Sequence, residues 1–149
     1  MDKVPASIPG FPLEYNPFHE MYRLVCRKSL AVAGHSSFVS HLALCFPETV
    51  ALIEEMDFGV LHLEVGALKL ESRNAIARRQ WDLVRKHLAF ASEVMERAEP
   101  KLRDAIGVSY LGALFYGETS LNFAKARSLL PRNLAIALDA IERHYESLR

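Results

Sequence analysis

The side chains that could do chemistry in this chain are few, and their spacing does not suit it. The histidines are His19, His35, His41, His62, His87 and His144. A helical metal site needs ligands three or four residues apart on one face. No histidine here has a second histidine four residues on, and none has a glutamate three residues before it. The HExxH and ExxH patterns are therefore absent. His41 and Cys45 are the single i,i+4 pair of candidate ligands, and two ligands do not make a site. Gly107-Val-Ser109-Tyr-Leu-Gly112 approaches a nucleophile elbow, but its second glycine comes one residue too late and a helix, not a strand, is predicted before it. Cys26 and Cys45 have no activating cation at helical spacing, and Glu54 and Glu55 are adjacent, so they diverge on a helix. There is no P-loop and no GxGxxG motif. The sequence predicts a non-enzymatic protein with no metal and no cofactor.

Charge carries more information. Formal net charge is +0, so no overall field selects a polyanion or an anionic membrane. Locally the chain is polarised. Glu48, Glu54, Glu55, Asp57, Glu64 and Glu71 face only Lys69 across the segment 48–71. Between Arg73 and Arg103, by contrast, cations outnumber carboxylates. One outcome is that the two stretches neutralise each other as solvated faces. The other is an acidic surface for a basic partner, made by Glu54, Glu55, Asp57, Glu64 and Glu71, which would raise on-rate and specificity more than affinity. Glu64 and Glu71 lie two turns apart on what reads as a polar, water-facing stripe, at its centre. The mirror idea, a nucleic-acid groove of Arg73, Arg78, Arg79, Arg85 and Lys86, lacks stacking aromatics: Trp81 is the one aromatic among them and its periodicity places it in the core. No nucleic acid is expected.

The elements that would position these residues are helices. Pro5, Pro9, Pro12 and Pro17 make residues 1–16 an extended arm, and Asn16-Pro17 opens a helix running to about Ala33. A helix from Ser36 or Ser37 ends before Pro47, a short one spans Glu48 to Met56, and Asp57-Phe58-Gly59 turns the chain. From Val60 to Arg79, Leu61, Val65, Leu68, Ser72 and Ile76 recur at helical spacing. Leu63, Leu70 and Ala77 widen that apolar face, so this helix should pack on two sides. Trp81, Val84, Leu88, Ala91, Met95 and Ala98 form the seam of the next helix. Pro100 opens another whose second half, Tyr110 to Tyr116, is apolar all round and should be buried, with Gly117 as its stop. Residues 118–125 read as loop and 126–130 as one turn. Pro131 opens a last helix with Leu134, Leu138, Ile141, Tyr145 and Leu148 on one face and Asp139 and Arg143 spaced to pair.

These patterns predict an all-α fold: one irregular bundle of about six to seven helices over residues 17–149, built from antiparallel helical hairpins. Its 149 residues suit one domain. No run reaches the ~20 apolar residues of a membrane helix, and Met1 to Gly10 lack an apolar signal region, so the expected address is the cytoplasm, without membrane attachment.

From about Phe38 to Leu148 the chain resembles a family of uncharacterised small helical bacterial proteins, some of whose relatives look like immunity proteins of polymorphic toxin systems. Phe46-Pro47-Glu48, His62-Leu63-Glu64-x-Gly66, Val108-Ser109-Tyr110-Leu111 and Leu130-Pro131-x-x-Leu134 carry the resemblance. It implies a stoichiometric inhibitor that binds a toxin domain, a basic one if the acidic segment makes the contact. It supplies no catalytic residue. The alternative is a helical adaptor that self-associates into a homo-oligomer, through the apolar faces around Leu63 and Leu70 or the aromatic cluster at Tyr110 to Tyr116.

Overall fold

The computed structural model of the chain describes residues 35–149; the proline-rich arm (1–16), the helix expected over 17–33 and Cys26 lie outside the described residues. Helix α1 (His35–Cys45) stops where Pro47 follows, and α2 (Pro47–Val50) is a single turn started by that proline. The helix expected over 48–56 is not continuous: after α2 the chain bends, and a short 3-10 turn spans Glu55–Asp57. Gly59 takes φ +90 and leads into α3 (Leu61–Ala77).

Helix α3 is joined to α4 (Trp81–Arg97) by a tight corner. Arg79 adopts the left-handed conformation, φ 59, while Gln80 N–H donates to Ala75 O at 2.9 Å and Arg79 N–H to Ile76 O at 3.0 Å. Those two bonds make a Schellman cap, with arginine in the place usually given to glycine. Beyond it, α5 (Pro100–Ala105) runs without a break through a π-helical stretch (Ile106–Gly112) into α6 (Ala113–Phe115), and Gly117 ends it at φ +82. The loop expected at 118–125 is instead mostly helix α7 (Leu121–Ser128), which Ser120 caps by accepting from Phe123 N–H at 3.3 Å. Helix α8 (Arg132–Ser147) closes the bundle.

The described residues form one all-α bundle with no β-strand among them. Its core is continuous, with Phe38, Leu42, Leu68, Ile76, Leu88, Leu102, Ile106, Leu111, Leu114 and Phe115 fully buried. Phe46 packs edge-on against Phe90, centroids 5.6 Å apart, and ties α1 and α2 to α4. The π stretch is the hub, packed on α3 and on α8. A wider helical turn, closed by i→i+5 bonds, brings residues five apart toward one side. Gly107 and Gly112 both face α8 here. A Cβ on Gly107 would stand 2.9 Å from Ile141 Cδ1, and one on Gly112 3.0 Å from Tyr145 Oη. The near-elbow pattern of the sequence is thus a glycine pair that lets two helices approach closely.

Candidate partner-binding surface

Among the described residues, two serine hydroxyls meet histidine rings. Ser72 Oγ lies 2.9 Å from His87 Nδ1 and 2.7 Å from Tyr110 Oη, joining α3, α4 and the π stretch. Their exposures are 0%, 1% and 0%, so no substrate reaches them. Serine has one proton to donate, and one arrangement satisfies all three groups. Tyr110 O–H donates to Ser72, and Ser72 O–H donates to Nδ1 of a neutral His87. Burial fits this assignment, since it holds the His87 pKa down at about 4 and pushes Tyr110 up. Phe46 packs in a T-shaped arrangement with the His87 ring, centroids 4.8 Å apart. This cluster is an internal pin.

At the surface, His62 Nδ1 meets Ser109 Oγ, which the π stretch turns outward. Ser109 is therefore half-exposed. No carboxylate is hydrogen-bonded to His62 among the described residues. An open groove of about 700 Å³ lies between the α6–α7 connection and the end of α8, lined in part by Tyr116, Glu118, Glu142 and Glu146. Each of its three carboxylates is already engaged. Glu118 pairs with Arg73 at 2.6 Å, Glu142 with Arg127 at 3.2 Å, and Glu146 accepts from Tyr116 O–H at 3.0 Å.

The five acidic residues differ in exposure. Glu54 and Glu55 are exposed, and Asp57 and Glu71 are half-exposed. Glu64 is buried, which removes it from the centre of any surface patch. It sits in the first turn of α3, and its Oε2 accepts the backbone N–H of Gly59 at 2.7 Å. A carboxylate at a helix N-terminus is favoured by the dipole and can satisfy an entering donor. That position in the first turn was the available sequence signal, and the polar stripe misled. Glu64→Gln keeps an acceptor but loses the charge, so it should destabilise the fold by about 1 kcal/mol. Chemical denaturation checks this, and a variant as stable as the parent would remove Glu64 as the anchor of the 57–60 turn.

The apolar residues of the long helix do not show the expected packing on two sides. Leu63 and Leu70 are exposed and do not pack on a second side, Ala77 likewise, while Tyr110, Leu111, Leu114 and Phe115 are internal. Of the aromatic residues in that cluster, Tyr116 alone is half-exposed. What sequence reasoning missed is the company Glu54 and Glu55 keep. Leu52, Met56, Phe58, Val60 and Leu63 are all exposed, Met56 to 80%. Leu52, Met56, Val60 and Leu63 step by four, four and three, but the chain between them is not one helix, so that spacing does not say which face they share. Only three-dimensional burial identifies them. Beside the basic residues, Trp81 is half-buried and packed against the core, and the Lys125 ammonium lies 5.8 Å from its ring centroid.

No helix among the described residues is long and apolar enough to cross a membrane. No curated protein and no solved structure matches this chain. The profile of one family, described as a domain of unknown function (DUF7674), matches residues 39–146, nearly three quarters of the chain. By that match, the chain belongs to the DUF7674 family.

Proposed function

We propose that this domain is a non-catalytic, protein-binding inhibitor whose contact surface is the segment from Leu52 to Leu63. The observation that carries this reading is the exposure of Leu52, Met56, Phe58, Val60 and Leu63 together with Glu54 and Glu55 in one short stretch. Contiguous exposed apolar side chains mark interaction sites, and a flexible methionine beside an aromatic ring makes an adaptable anchor. The carboxylates set the sign of the partner as basic. The finer reading is an immunity protein that neutralises a cognate bacterial toxin in the cytoplasm of the producing cell. Support for it comes from the sequence resemblance and from the acidic character of the segment.

The test begins with a pull-down from native lysate and mass spectrometry, followed by titration with the captured protein. Glu54→Lys with Glu55→Lys should slow association about tenfold at low salt, and the difference should shrink at high salt. Met56→Ala with Phe58→Ala should raise Kd at least about tenfold. Binding indifferent to both pairs of substitutions would sink the reading.

A further inference from the structure

Helix α3 is apolar on two opposite faces. One, made of Leu61, Val65, Leu68, Ser72 and Ile76, is buried in the bundle. At about 100° per residue the other collects Leu63, Gly66, Leu70, Asn74 and Ala77 into a single stripe. Leu63 is 49% exposed and Leu70 47%.

Gly66 sits between the two leucines in mid-helix. A Cβ there would meet nothing within 4 Å, so no neighbour among the described residues explains a glycine. Glycine weakens a helix interior by about 1 kcal/mol relative to alanine. What a glycine on an outer helix face does provide is room for a second backbone to come close.

The ends of α3 carry opposite charge. Glu54, Glu55 and Asp57 precede its N-terminus. Arg78 and Arg79 form its C-terminal corner, both exposed, with Arg79 held at φ 59 where glycine would be unstrained. The helix between them is 17 residues, or about 25 Å, long.

We propose that α3 is the seam of a homodimer in which a second copy packs antiparallel across the Leu63–Gly66–Leu70 stripe. Turning one copy end for end sets its acidic 54–57 turn against the Arg78–Arg79 corner of the other, twice, about a two-fold axis. Parallel packing would oppose like charges at both ends. A seam of one helix is small, so the dimer is of modest affinity and weakens with salt. The dimer is independent of the inhibitor reading, although both use Glu54, Glu55 and Leu63; a basic partner would compete with the second copy for them.

Sedimentation velocity of the full chain over about 1 to 200 μM at low salt should show a monomer–dimer equilibrium. Leu70→Glu should abolish the dimer while leaving Glu54, Glu55, Met56 and Phe58 in place for a partner, which separates the two readings. Gly66→Ala should raise the melting temperature yet weaken the dimer about tenfold, opposite signs that a general folding defect does not produce. Glu54→Lys with Glu55→Lys, and Arg78→Glu with Arg79→Glu, should each give a monomer. An equimolar mixture of the two should dimerise again, because each acidic end then meets a basic one. A monomer throughout the range, or a dimer indifferent to Leu70→Glu, overturns the proposal. Failure of the mixture to restore the dimer overturns the antiparallel arrangement.

Discussion

Replacing Ser72 by alanine should destabilise this fold by about 3 kcal/mol, far more than the loss of one hydroxyl suggests. Ser72 Oγ is the shared partner of His87 Nδ1 and Tyr110 Oη, both buried. Its removal leaves an acceptor and a donor in the core without that partner, and each such group costs about 1–3 kcal/mol. Chemical denaturation should report the loss directly, with a fall of roughly 10 °C in melting temperature. Tyr110→Phe is the informative companion. It leaves the Ser72–His87 bond intact and should cost about 1 kcal/mol. Once Ser72 is alanine, removing the Tyr110 hydroxyl should cost less still, because its partner has gone. Additive losses would mean that the three groups do not act as one network.

The second large effect is on pH. Burial lowers the His87 pKa from 6.5 to about 4. Between those values an unfolded chain takes up the proton and the native state does not. The unfolded state then binds more protons, so stability rises with pH across that window. The contribution is fully present above about pH 6.5 and is lost as pH falls toward 4, on the order of 3 kcal/mol in all. Geometry gives the same sign. An imidazolium has a proton on Nδ1, so it must donate to Ser72. Ser72 would then turn its own proton to Tyr110, and the Tyr110 hydroxyl would lose its acceptor. Denaturation curves at pH 7, 5.5 and 4 should show the loss, and a His87→Gln variant should show a flatter dependence. Parallel slopes in the two proteins would place the acid sensitivity elsewhere.

Much of the architecture was legible in the chain. The long period of Leu61, Val65, Leu68, Ser72 and Ile76 marks α3, and Trp81 to Ala98 marks α4, because a helix with one buried face must repeat apolar residues every three or four positions. Prolines 47, 100 and 131 and Gly117 punctuate elements for local steric reasons that need no tertiary context. Helix α7 was missed because its eight residues carry no apolar period of their own; Phe123 and Ala126 alone are buried, and Ser120 caps it. The π stretch was equally invisible, since the extra residue in the turn answers to Ile141 and Tyr145, which lie about thirty residues further on.

The candidate surface divides in the same way. Sequence alone determined that residues 48–71 are acidic and that no catalytic or metal-binding pattern stands out, because residue identity and spacing set those. Which carboxylates face water was decided by the tertiary structure. Glu64 and Glu71 share a helical face by spacing, yet the turn at Gly59 folds over Glu64 and offers it a backbone N–H, whereas Glu71 stays half-exposed. The stripe of Leu63 and Leu70 shows the converse. A helical period says that side chains share a face, and only the placement of neighbouring helices says whether that face is covered.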